Sequence, residues 1–257
     1  MRKLRYFTAI GLICATGIAA TAVATSTKAS NPVSLDDDAA IANGLAMLLR
    51  AGRTVVSRHQ DRLNDPKLAN KGFDSKSMLT EAVTIFQKTT GGDPHAIDAN
   101  TRYGKLLRMQ MDAMAEVVNA HQETLNRKGV GFKGFIPAVF GRLTNEAFGR
   151  RAAGIAEVKV TAPAKFIRNP KAKADAWETA VIQDKLLTSA WPKDRQFAEV
   201  NQTKGRTAHR TMVPEYYGAS CLSCHGSPQG EIDITGYAKE GGHEGEFGGA
   251  ISITLYR

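Results

Sequence analysis

Five consecutive residues, Cys221-Leu222-Ser223-Cys224-His225, carry the sharpest chemistry in the chain. Two thiols at this spacing can add to the vinyl groups on neighbouring edges of a porphyrin. The adjacent imidazole then reaches the iron from the same side, and C-x-x-C-H is the attachment signature of c-type haem. With three cysteines and six histidines in 257 residues, chance supplies on the order of 0.001 such motifs. The spacing therefore predicts one covalently attached haem c, with thioethers to Cys221 and Cys224 and His225 as the proximal iron ligand. Two other readings stay open. A redox dithiol would place the pair at the start of a helix after a buried strand, whereas Tyr216-Tyr217-Gly218 precedes it and Gly226-Ser227-Pro228 follows. A zinc site would draw on a second Cys or His pair, and the sequence offers none. A disulfide between the two cysteines would leave His225 unexplained.

The opposite side of the iron decides what such a haem does. Met or His there makes an electron-transfer site, and an open position admits small molecules. Both cysteines of the motif are consumed by the porphyrin, so the candidates are Met212 and His209, 9 and 12 residues before Cys221, and His121 on an apolar helical stripe. Each has a plainer reading: a core methionine, a surface histidine and a hydrogen-bonded core histidine. His243 lies in a Gly-rich loop, and His59 and His95 suit a helix face and a loop.

The chain starts with Arg2, Lys3 and Arg5, followed by an apolar stretch from Tyr6 to Ala24 and a small-residue exit at Ala22-Val23-Ala24. That is the layout of a secretory signal peptide over residues 1–24, the alternative being an uncleaved N-terminal anchor. Export to the periplasm also suits c-type haem attachment. Cleavage would remove Cys14 and three of the nine net positive charges. The basic residues form no run elsewhere, so nucleic acid is not an expected partner.

The elements that must hold the motif follow from periodicity. Residues 25–257 read as a single domain, with a helical part over about 35–127 and a haem-bearing part over about 131–257. The helical part holds helices over 35–63, opened by a Ser34/Asp37 capping box, then near 75–90, and over 98–127. Ala156, Val158 and Val160, and then Ile251, Ile253 and Leu255, alternate with polar residues as half-buried strands; 197–201 and 207–213 are weaker strands. Asp175 with Glu178 caps a helix carrying Trp177, Val181, Ile182, Leu186 and Leu187. The expected fold is α+β, with N-terminal helices followed by an antiparallel sheet and a helix packed on it. No internal repeat is evident. Nine of the 24 glycines fall within residues 218–249, a stretch able to follow a rigid ligand with its backbone.

Arg168-Asn169-Pro170, Asp175, Trp177-Glu178 and Cys221 to Gly226 together resemble the Tll-like single-haem domain family of bacteria. So do the block Gly131 to Arg142 and the tail from Ile234-Thr235-Gly236-Tyr237 to Ser252. Lys173 and Ala174 depart from the family's usual Asn and Pro. The resemblance implies a PAS-like antiparallel sheet carrying the haem, and within it Arg168 and Asn169 bracing either the haem-bearing loop or a propionate. It favours a non-enzymatic periplasmic module for redox or small-ligand sensing, read by a separate signalling partner. The alternatives are a monohaem electron-transfer cytochrome serving a redox partner protein, and a peroxidase-like enzyme with His121 as its acid–base residue.

Overall fold

A computed structural model describes residues 37–257. The signal segment, Cys14 and Ser34 lie outside the described residues. The chain forms an α+β fold of eight helices, joined by several single turns, and one four-stranded antiparallel sheet among those residues. No described helix is long and apolar enough to cross a membrane.

Helix α1 (Asp38–Arg58) starts where Asp37 accepts a hydrogen bond from the Ala39 amide, and its stripe of Ile41, Leu45, Leu48, Leu49, Val55 and Val56 is fully buried. The expected helix over 35–63 breaks at His59, and a separate turn, α2 (Gln60–Asn64), follows. Helix α3 (Ser75–Thr90) opens on an Asp74/Ser77 capping box and ends at Gly91, whose φ of 77° suits only glycine comfortably. The helix expected over 98–127 likewise divides at His121 into α4 (Arg102–Ala120) and α5 (Gln122–Asn126). The apolar period passes through both breaks because Leu63 and Leu125 stay fully buried beyond them. The helical part also extends further than expected, through α6 (Pro137–Arg151), which has proline in its first turn and Phe140, Ala147 and Phe148 in the core.

All four strands stand where alternation places them. They are β1 (Ala156–Thr161), β2 (Phe197–Thr203), β3 (Arg206–Tyr216) and β4 (Phe247–Tyr256), in the order β1-β4-β3-β2. Val158 pairs with Ile253, and Thr211 pairs with Ile253 from the other side, so β4 is central. Val158, Val213, Ile251, Ile253 and Leu255 form one core with α1, α3, α4 and α6. The opposite face carries Met212 and Ala250 beneath α7 (Ala176–Val181) and the π-turn that continues it, through Val181, Ile182 and Leu186. Asp175 and Glu178 form the expected capping box. The nearly buried Glu178 also receives Lys159 at 2.6 Å and faces Arg210, which bonds Asp175 at 2.6 Å and lies over the Trp177 ring.

The helices contain a duplication that periodicity hides. His59-Gln60, Leu63-Asn64 and Lys71-Gly72-Phe73 recur 62 residues on as His121-Gln122, Leu125-Asn126 and Lys133-Gly134-Phe135. Each histidine packs on the phenylalanine of its own copy, at 5.3 and 5.0 Å between ring centroids. Each lysine ammonium is turned onto two main-chain carbonyls, Asp65 and Leu68 in one copy, Arg127 and Val130 in the other. Other bonds cross between the copies. Asn126 accepts from the Lys71 amide and Asn64 from the Lys133 amide, both at 2.9 Å, while Gln60 donates to the Phe135 carbonyl and Gln122 to that of Phe73. The expectation of no repeat fails because the recurring residues are few and scattered: a polar lock with Leu63/Leu125 and Phe73/Phe135, among positions that differ between the copies.

Candidate haem-attachment site

Strand β3 delivers the motif, and α1 fixes where the strand ends. Arg50 and Arg53, on one face of α1, both donate to the Glu215 carboxylate, at 2.8 and 2.7 Å. One turn further along α1, Ser57 meets Ser220 at 3.1 Å. The chain then tightens through a 3-10 turn, Ala219–Cys221, into the single helical turn α8 (Leu222–His225), closed by the Gly226 amide on the Leu222 carbonyl. Gly226 is required here, since a Cβ would lie 2.5 Å from that same carbonyl oxygen. Cys221 and Cys224 are free thiols, each half-buried.

The Gly-rich segment wraps this turn from the other side. The Gly242 amide donates to the His225 carbonyl at 2.8 Å and the Gly241 amide to that of Gly226 at 3.1 Å. Between them and the motif, Glu240 places Oε2 2.8 Å from His225 Nδ1. A carboxylate only accepts, so Nδ1 is the donor, and in the neutral ring the lone pair lies on Nε2; Nε2 makes no hydrogen bond among the described residues. The Tyr217 ring stacks on the imidazole at 5.1 Å and 17°. Gly242 and Gly248 leave room for it, because a Cβ at either would fall 2.6 or 2.5 Å from the ring. Burial, and then the charge of Glu240, push the Tyr217 hydroxyl up to about 12. That hydroxyl is buried without a hydrogen-bond partner.

Arg168 ties the arrangement together. Its guanidinium donates to the Cys224 carbonyl at 2.8 Å, to Asp233 at 2.6 Å, and to both oxygens of Glu240 at 3.1 and 3.2 Å. Asp233 in turn accepts from the amide and hydroxyl of Thr235. Burial alone would raise the Asp233 carboxyl, but the Thr235 and Arg168 hydrogen bonds outweigh it and hold the group well below the usual carboxylate range. The Tyr237 hydroxyl donates to the Arg168 carbonyl, and the guanidinium lies 5.4 Å from that ring.

Of the two bracing roles expected for Arg168, the structure gives it the loop: its donors are engaged by protein oxygens of the motif and the Gly-rich segment. Asn169 acts locally instead, accepting from the Lys171 amide to cap a short turn. The motif residues Cys221, Cys224 and His225 come together, and the three distal candidates do not join them. Met212 is fully buried beneath α7. His121 spends Nδ1 on the Val117 carbonyl at 2.7 Å and packs on Phe135. His209 lies seven residues back along β3 from Tyr216, among the charges of Asp38, Arg102 and Arg257, and burial lowers its pKa. His243 is exposed and pairs with Glu246. Periodicity missed Glu240, Asp233 and Tyr217, although Tyr217 lies four residues before Cys221 and the other two occupy the Gly-rich stretch.

Residues 94–255 match the Tll0287-like family. The chain belongs to that family. The matched span of this Tll0287-like protein takes in the sheet, Arg168, the C-x-x-C-H turn and the Gly-rich wrap, together with the second copy of the duplicated unit. Searches of curated proteins and of solved structures return no match.

The site fits a covalent haem on its own donors. The Nε2 nitrogen of His225 makes no hydrogen bond among the described residues, and the two thiols stand one helical turn apart, each half-buried. Burial raises the Cys224 thiol despite the Ser223 hydrogen bond. Among the described residues no group of three or more His, Cys, Asp or Glu gathers to hold a metal ion.

Proposed function

We propose that this Tll0287-like protein is an exported single-haem protein that senses redox state or a small ligand in the periplasm through a PAS-like sheet. In this reading Cys221 and Cys224 hold haem c by thioethers and His225 Nε2 faces the iron. The observation that carries it is the C-x-x-C-H turn itself, held with Nδ1 engaged by Glu240 and Nε2 free. Bound haem supplies a one-electron iron couple and, where its sixth position is open, a site for a diatomic molecule. The chain's own part is positioning. Arg168 ties the motif to the Gly-rich segment, and Glu215, clamped by two arginines of α1, links the motif to the helical core. A change at His225 therefore has a polar route into both layers, from which a separate signalling partner could read it. The N-terminal sequence supports export, with an uncleaved anchor as the alternative, and no catalytic residue is proposed.

Expression with c-type maturation machinery tests the reading. The full chain should gain the mass of one haem and give a c-type pyridine haemochrome, and Cys221→Ala with Cys224→Ala should abolish both. A chain that matures without haem while retaining another metal refutes the proposal. Ferrous spectra with and without carbon monoxide or nitric oxide then separate the roles. A response to gas supports ligand sensing, whereas a six-coordinate spectrum indifferent to both gases leaves redox sensing or electron transfer to a partner protein.

A further inference from the structure

We infer that Glu240 is a positioning residue that sets the basicity of the haem's axial imidazole, and that Arg168 moderates how much of the Glu240 charge reaches it. The inference rests on the haem reading but draws on a separate set of contacts. An axial histidine needs a hydrogen-bond partner on its second nitrogen, and that partner fixes the tautomer and tunes the ring. A main-chain carbonyl would do so mildly. Here the partner is a full carboxylate, only 10% exposed, 2.8 Å from Nδ1.

Three features make the pairing deliberate in geometry. The residues following Glu240 are zipped to the backbone of His225 and Gly226 by two amide hydrogen bonds, so the carboxylate cannot drift along the loop. The stacked Tyr217 ring limits rotation of the imidazole. Arg168 then grips both oxygens of Glu240, sharing Oε2 with His225, which orients the carboxylate and offsets its charge. A negatively charged acceptor pulls the Nδ1 proton outward, enriches Nε2 in electron density, and favours ferric over ferrous iron.

Two measurements on the full chain test this. In protein produced without haem maturation, nitrogen NMR of His225 should show a single ring tautomer protonated at Nδ1, and Glu240→Gln should turn it into a mixture. In matured protein, Glu240→Gln should keep covalent haem and raise the midpoint potential. A tenfold loss of ferric preference corresponds to a shift of 59 mV for one electron. Glu240→Asp, which keeps the charge, should stay nearer the native potential than the Gln variant, and it serves if that variant fails to mature. An unchanged potential in haem-loaded Glu240→Gln, or an Asp variant displaced as far as Gln, overturns the inference. Absence of haem from the native chain overturns the haem reading instead, and mass spectrometry reads that separately.

Discussion

Arg168→Met should open the motif loop, at a cost that can be worked from the contacts. The substitution keeps length and removes the cation facing two carboxylates whose side chains are 0% and 10% exposed. Removing one partner of a buried ion pair costs about 3–5 kcal/mol. The Arg168 side chain is itself 19% exposed, so water can enter and the lower end, about 3 kcal/mol, applies. At roughly 1.4 kcal/mol per tenfold, that is about a hundredfold more frequent opening. Native-state hydrogen exchange is the assay: the Gly241 and Gly242 amides, bonded to Gly226 and His225, should lose about two orders of magnitude of protection. If the loop unfolds with the whole chain, the melting temperature should fall by about 6–12 °C, at roughly 2–4 °C per kcal/mol for a domain of this size. Arg168→Lys keeps the charge but loses the fork, and should cost about half as much. Protection and melting both unchanged in Arg168→Met would refute the claim that Arg168 holds the turn.

Asn64→Ala and Asn126→Ala should each cost about 2 kcal/mol in urea denaturation, since each strands an amide of the other copy; a large difference between them would deny the equivalence of the copies. Gly104→Ala should destabilise by about 2 kcal/mol even though alanine favours helix by about 1 kcal/mol, because its Cβ would lie 2.1 Å from the Asp98 carbonyl oxygen; a stabilised variant by thermal melting would refute that packing. Asp233 and Asp175 both titrate below the ordinary value of 3.8 in the fold. Their stabilisation is thus present above that value and is lost as pH falls below it toward the folded pKa. The melting temperature should drop in that acid range, and Arg168→Met should flatten the drop; an equal slope in both proteins would count against the Asp233–Arg168 pair.

The motif, the strands and the α7 cap were legible because each is encoded within a dozen residues. Cys221 to His225 announces itself by type and spacing, and Asp175 finds its partner three residues away. The breaks at His59 and His121 were not, because the signal for helix is apolar period and Leu63 and Leu125 keep that period beyond the breaks. Glu240 and Asp233 escaped for another reason. They meet Arg168 across 72 and 65 residues of chain, and the segment that carries them has too many glycines for any period. The duplication was readable in principle: Gln60 and Gln122, or Lys71 and Lys133, align when polar residues are compared directly.

The interlocked copies also separate two kinds of border. The family match begins at residue 94, so it takes in the second copy and not the first. By cooperativity there is no border at that point. A fragment starting there would strip the Lys133 amide of Asn64 and the Phe135 carbonyl of Gln60. It would also lose α1, and with it the Arg50 and Arg53 clamp on Glu215. The matched span is therefore narrower than the interlocked structure, and any measurement on the C-x-x-C-H turn should use a chain that includes α1.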